Sequence, residues 1–209
     1  MSVYDIQRTI SVTGTGRAAA AADLALLDLA VETQAVTASD ALTENNKRVA
    51  AVLSALKDHG VQERDIQTTE LRIDPVTDNA RPSKIVSYQV RNGLSVELRD
   101  IQSAGLVIDA AVQAGGDATR IESISFSFAD PSSLLIQARK HAVNDAKDRA
   151  QQLADGLGVE LGNVISISES EANGGPRPFF RAAAQDTTAI LPGQSEVTDQ
   201  VTVSYEIAA

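Results

Sequence analysis

Residues 11–24 read SVTGTGRAAAAADL, and the fold turns on how Gly14-Thr15-Gly16 is read. A glycine pair after a strand-like run can open a helix and cradle a phosphate, or it can belong to backbone that stays extended. The phosphate reading needs G-x-G-x-x-G ahead of a helix, or the G-K-[S/T] of a nucleotide loop. Here the third glycine position is Ala19, and G-K-[S/T] is absent. Downstream, Ala25, Leu27, Leu29 and Val31 alternate with the period of a strand, which leaves no room for a helix of useful length. The glycines are therefore expected to open a strand-to-strand connection, with no anion cradle.

Working outward, period-2 alternation marks strands near 8–14, 24–34, 65–74, 120–128, 161–169 and 197–207. The clearest alternation is Val86, Tyr88, Val90, Leu94, Val96, Leu98. Asn92-Gly93 lies inside it, yet the phase is kept across the pair, so one long strand with a bulge at Gly93 is expected rather than a hairpin. Three helices stand between the strands. The first runs from Thr37, its N-cap, to His59, with Gly60 as the stop and Leu42, Val49, Leu53 and Leu56 as its apolar stripe. Asn46 falls between Leu42 and Val49 and is expected to bond a strand end. The second helix follows Asp100 and stops at Gly115. The third opens at Asp130-Pro131 and runs to Leu157, with Ala138, Ala142, Ala146, Ala150 and Ala154 spaced every four residues. Small residues at that spacing allow close approach to a neighbouring element. His141 and Asp145, four apart, are expected to form a surface pair, with Asp145 also four before Arg149.

Helix one leads through Gly60-Val61 into a strand, and helix three leads through Gly158-Val159 into another. Long helices alternating with strands give an α/β (α+β) fold of two small two-layer sandwich lobes, with mixed, largely antiparallel sheets and three main helices. The echo between helices one and three suggests one discontinuous lobe of residues 8–80 plus 130–207, and a smaller lobe of 84–128.

The 209 residues carry a formal charge of −10 and 3% aromatics. That field repels phosphate backbones, which argues against nucleic acid as a partner. No cysteine is present, which excludes disulfides, thiolate zinc sites and cysteine nucleophiles. No run approaches the ~20 apolar residues of a membrane helix. The start, MSVYDIQRT, lacks the basic and apolar regions of a signal peptide.

Catalytic constellations fail one by one. His59 and His141 are the only histidines, and neither has metal-ligand spacing with the other. HExxH, G-x-S-x-G and S-x-x-K are absent. Asp74, Asp78 and Asn79 lack the glycine and terminal Glu of a calcium loop and read as a turn around Pro75. Ser123, Ser125 and Ser127 alternate with Ile124, Phe126 and Phe128, a strand with one polar and one buried face. No catalytic residue, cofactor or metal is called for. Residues 172–195 hold three of the six prolines and two of the four phenylalanines, with no clean period. A loop of that length signals function or disorder. Phe179, Phe180, Arg181, Ile190 and Leu191 are the candidate contacts to a second copy.

ISVTGTGR with its alanine-rich link and DLALLDLAVET resembles the opening of the SIMPL-domain family, which includes the YggE-like proteins. TASDALTENNKRVAAVLSALKDHGVQERDIQTTELRIDP, the third helix with its following strand, and ILPGQSEVTDQVTVSYEI match the same family in the same order, over about residues 8–207 as a single unit. The resemblance implies a bacterial protein exported to the periplasm or outer envelope, with peripheral envelope association, homo-oligomers in some members and a role linked to envelope or oxidative stress. It implies no catalytic residues. The expectation is a non-enzymatic protein that self-assembles. A small-molecule-binding module, or an enzyme with scattered carboxylates, is the alternative. Two close acids with displaced pKa values in a deep pocket would favour the enzyme.

Overall fold

A computed structural model describes residues 8–78, 81–171, 177–179 and 193–208. In chain order the elements are β1 (Thr9–Ala21), β2 (Leu24–Ala35), α1 (Ala38–Asp58), β3 (Ile66–Asp78), β4 (Arg81–Leu98), α2 (Ala104–Gly115), β5 (Thr119–Ser127), α3 (Ser132–Leu157), β6 (Glu160–Glu171), β7 (Arg177–Phe179) and β8 (Gln194–Ala208). The fold is α+β, with two sheets and three α-helices among the described residues. Every described strand pair is antiparallel.

The chain forms two compact units. One contains β2, α1, β3, β4, α2 and β5, with strand order β3-β4-β2-β5. The other contains β1, α3, β6, β7 and β8, with β8 between β1 and β6 and β7 also paired to β8. The division expected from the helix echo is thus displaced, because residues 24–78 go with 81–127. The reason is β2, which is bonded on one side to β4 and on the other to β5 and so cannot leave that sheet. The echo itself is local. Val61 N–H donates to Leu56 O and Gly60 N–H to Lys57 O, and the same pattern recurs as Val159 to Ala154 and Gly158 to Asp155. Gly60 and Gly158 both have positive φ, 84° and 66°, as this helix stop requires.

The unit built on β2 has a conventional core. Leu27, Leu29, Val31, Val52, Leu56, Val96, Val107 and Ala111 are buried together, with Ile124 and Phe126 packed against them. Thr37 caps α1 by accepting from Asp40 N–H at 3.1 Å. The buried asparagine of α1 is Asn45, not Asn46, which is exposed. Asn45 Nδ2 donates to the carbonyls of Val31 and Val90 at 2.9 and 3.4 Å. β4 runs unbroken through Asn92-Gly93, and β2 pairs across it without a shift. The bulge lies on the facing strand, where Thr69 is the extra residue between Thr68↔Leu94 and Glu70↔Gly93. A Cβ on Gly93 would come within 2.8 Å of Thr69 Oγ1, so the glycine accommodates its neighbour's bulge. Pro75 is inside β3, opposite Tyr88, and not in a turn. β3 is an edge strand, where proline is tolerated.

The β1 unit is built differently. Its helix contributes only alanines to the buried cluster, Ala142, Ala146, Ala150 and Ala154, under Ile10, Val12, Val201, Val203 and Tyr205. Gly14 and Gly16 lie in the middle of β1, paired with Val201 and Asp199, and not at a connection as expected. The strand continues through the alanine run to Ala21. A Cβ on Gly14 would overlap the Ala142 carbonyl and the Ala146 amide, and would come within 2.8 Å of Ala146 Cα. A Cβ on Gly16 would overlap the Ala138 carbonyl and the Ala142 amide. Neither glycine has positive φ, so space rather than conformation excludes a side chain. The glycine pair and the alanine stripe are two halves of one contact in which helix backbone rests on strand backbone.

Candidate functional site

With helix and strand this close, side chains of α3 reach the outer edge of β1. Asp145 Oδ2 accepts from Thr15 N–H at 2.8 Å. Arg149 Nη1 donates to the Thr13 carbonyl at 3.1 Å, and His141 Nδ1 donates to the Arg17 carbonyl at 2.8 Å. Residues 141, 145 and 149 thus substitute for a neighbouring strand, and His141 bonds Arg17 rather than the expected Asp145. The Thr15 amide, with Arg149 beside it, holds the Asp145 carboxyl below the usual carboxylate range. An edge treated in this way is protected against pairing.

The β3 edge has no such cover among the described residues. β3 is the outermost strand of its sheet, with β4 on its inner side only. Leu71, Ile73 and Pro75 alternate along one face, and Glu70, Arg72 and Asp74 along the other. Leu71 is 58% exposed and Ile73 42%. Ile85 and Val86 on β4 are exposed as well, which extends the apolar strip along the hairpin. On the charged face Arg91 binds Glu32 at 2.6 Å, Glu70 at 3.2 Å and also Glu122, joining β2, β3, β4 and β5. Arg72 contacts Glu70 at 3.0 Å and Asp74 at 3.9 Å.

Two acid sites remain. Asp65 is buried and takes three hydrogen bonds from Nε and Nη2 of Arg99, which hold its carboxyl below the usual range. Beside it His59, Gly60, Val61, Arg99, Ser103 and Val107 line a pocket of about 150 Å³. In the other unit Asp199 has a side chain only 4% exposed, with Arg139 Nε at 3.6 Å. Arg139 is committed to Glu169 at 2.6 Å and keeps that carboxyl low. Burial pushes the Asp199 carboxyl up, with the charge of Glu169 adding to the shift. Folding therefore favours a proton on Asp199. The stability from its neutral form is fully present below the ordinary carboxylate range and is lost as pH rises through the raised value. Asp199→Asn is expected to melt above the parent at pH 7–8, with the gap closing toward pH 4. A gap independent of pH in thermal unfolding would contradict this assignment.

Of the five contact candidates from the sequence, Phe179 closes β7, where its backbone pairs with Gln194. Phe180, Arg181, Ile190 and Leu191 lie outside the described residues. Sequence reasoning missed Leu71, Ile73 and the edge they stand on. The signal was their alternation with Glu70, Arg72 and Asp74, which reads equally well as an interior strand with one wet face.

No helix among the described residues is long and apolar enough to cross a membrane. A model of the SIMPL family, described as a protein of unknown function (DUF541), matches residues 10–205. The 26 kDa periplasmic immunogenic protein of Brucella melitensis is 34% identical over 216 residues, covering 95% of this chain and 84% of the relative. The protein of that name from Brucella abortus shows the same identity and coverage. Escherichia coli K12 YggE is 29% identical over 205 residues, covering 95% of this chain and 82% of its own.

Proposed function

Because the chain belongs to the SIMPL (DUF541) family, we propose that it is a non-enzymatic protein of the bacterial envelope that works by assembling with copies of itself. The placement follows the relatives named periplasmic. A role in envelope or oxidative stress follows the family resemblance alone. The observation that carries self-assembly is the β3 edge, which no other described strand pairs, flanked by exposed Leu71, Ile73, Ile85 and Val86. Apolar surface beside unpaired backbone favours strand pairing, and among the described residues three side chains seal the β1 edge while none seals β3 in this way.

The competing readings draw less support. Asp199 and Glu169 are acids with pKa values pushed apart, as carboxylate catalysis needs, but Asp199 is too enclosed to meet a substrate. Among the described residues, the pocket at Asp65 is about half the ~300 Å³ at which small-molecule sites begin. Light scattering of the full chain is expected to give a mass of more than one subunit, and Leu71→Asp with Ile73→Asp to lower it. A monomer at high concentration would contradict the reading.

A further inference from the structure

Resting on that reading, we infer that two copies join through antiparallel β3–β3 pairing, with Ile73 on the two-fold axis and Arg72 of each copy facing Asp74 of the other. Register shifts interrupt β3 between Thr68 and Glu70 and again after Val76, which leaves Glu70–Val76 as its regular run. The midpoint of that run is Ile73. Antiparallel pairing about this midpoint sets 73 against 73, 72 against 74, 71 against 75 and 70 against 76. On one face Leu71, Ile73 and Pro75 of both copies meet and cover each other's exposed apolar surface. On the other face each Arg72 meets an Asp74, giving two opposite-charge pairs related by symmetry.

Neighbouring registers do worse. Centring on Arg72 sets Arg72 against itself and Glu70 against Asp74. Centring on Asp74 sets two aspartates together. Centring on Leu71 pairs Glu70 with Arg72, but it carries the second copy across the Thr69 bulge, and Glu70 is already held by Arg91. Asp74 is available, its side chain 60% exposed and its contact with Arg72 of the same chain a loose 3.9 Å. Arg72 is 63% exposed and contacts Glu70 at 3.0 Å through Nη2, which leaves its Nε side to face Asp74 of the other copy. Pro75 lacks an N–H and supplies only a carbonyl, so it can weaken the ladder but does not block the charged pairs. Of the other edges, β1 is sealed by α3, and β6 has two register shifts between Leu161 and Ser166 and glutamates toward both ends. β5, the far edge of the β3 sheet, is broken at its middle by the extra residue Glu122 between Ile121 and Ser123.

The test uses the full chain, measuring size and cross-linking. Arg72→Asp alone and Asp74→Arg alone each set like charges together and are expected to weaken dimerisation about tenfold at low salt. The double exchange Arg72→Asp/Asp74→Arg is expected to restore it. The parent has no cysteine, so a single introduced one reports position cleanly. Ile73→Cys is expected to form an intermolecular disulfide on mild oxidation. Thr68→Cys, five residues from the axis and so about 30 Å from its counterpart, is not. Assembly that persists with no disulfide in the Ile73→Cys variant and no rescue by the double exchange would overturn this register and leave self-assembly standing. A parent chain that is monomeric throughout would overturn both.

Discussion

Gly16→Val is expected to unfold the β1 unit, at a cost of about 3 kcal/mol or more. The new side chain would occupy the space of the Ala138 carbonyl and the Ala142 amide, and Gly14 stands in the same relation to Ala142 and Ala146. Core overpacking is usually relieved by a neighbouring side chain changing rotamer. Here the obstructing atoms are main chain of α3, so the helix itself must move off the strand. That movement would also withdraw Asp145, Arg149 and His141 from the β1 edge. Two controls separate this from a generic glycine effect. Ala138→Gly in the same chain should not rescue Gly16→Val, because it removes no obstructing atom. Gly156→Ala, on α3 with open space around its Cβ, should stabilise by about 0.5–1 kcal/mol. Denaturant unfolding with hydrogen exchange of β1 amides reads all three.

The second large effect is expected at Asn45→Ala, at about 2–3 kcal/mol. Asn45 is fully buried on α1 and donates to the main-chain carbonyls of Val31 on β2 and Val90 on β4. Alanine removes both bonds and leaves a cavity beside two buried acceptors. Asn45→Asp is expected to be worse at neutral pH, since a carboxylate cannot donate to either carbonyl and its charge is buried. Equilibrium unfolding checks both variants. If Asn45→Ala costs less than about 1 kcal/mol, the carbonyls do not depend on it.

The sequence was most legible where one periodicity fixed one face. Thr37, Gly60 and Gly158 carry local hydrogen-bonding rules, and all three fall where those rules put them. The alanine stripe announced a close approach but not its target, because spacing along a helix does not say which strand lies beneath it. The glycine pair supplies that answer in the structure, but glycine is so common in turns that from sequence the pair reads as a strand-to-strand connection. Asn46 rather than Asn45 reads as the buried one because a turn of 3.6 residues lets either neighbour fall on the buried side when the apolar stripe is sparse. The lobe division failed because strand order is non-local. Nothing within residues 24–35 tells that β2 pairs with both β4 and β5. The β3 edge, unpaired on its outer side among the described residues, is hidden for the same reason, since an edge is defined by the strand that does not come next.

The account stands on α3 lying directly against the β1 backbone at Gly14 and Gly16. NMR of the full chain tests this most directly, through the Thr15 amide and the α-protons of the two glycines. The account predicts contacts from Gly14 to Ala142 and Ala146 and from Gly16 to Ala138 and Ala142, with a Thr15 amide that exchanges slowly and ignores added inorganic phosphate. A Thr15 amide that exchanges freely and shifts as phosphate is titrated, with those contacts missing, would contradict it.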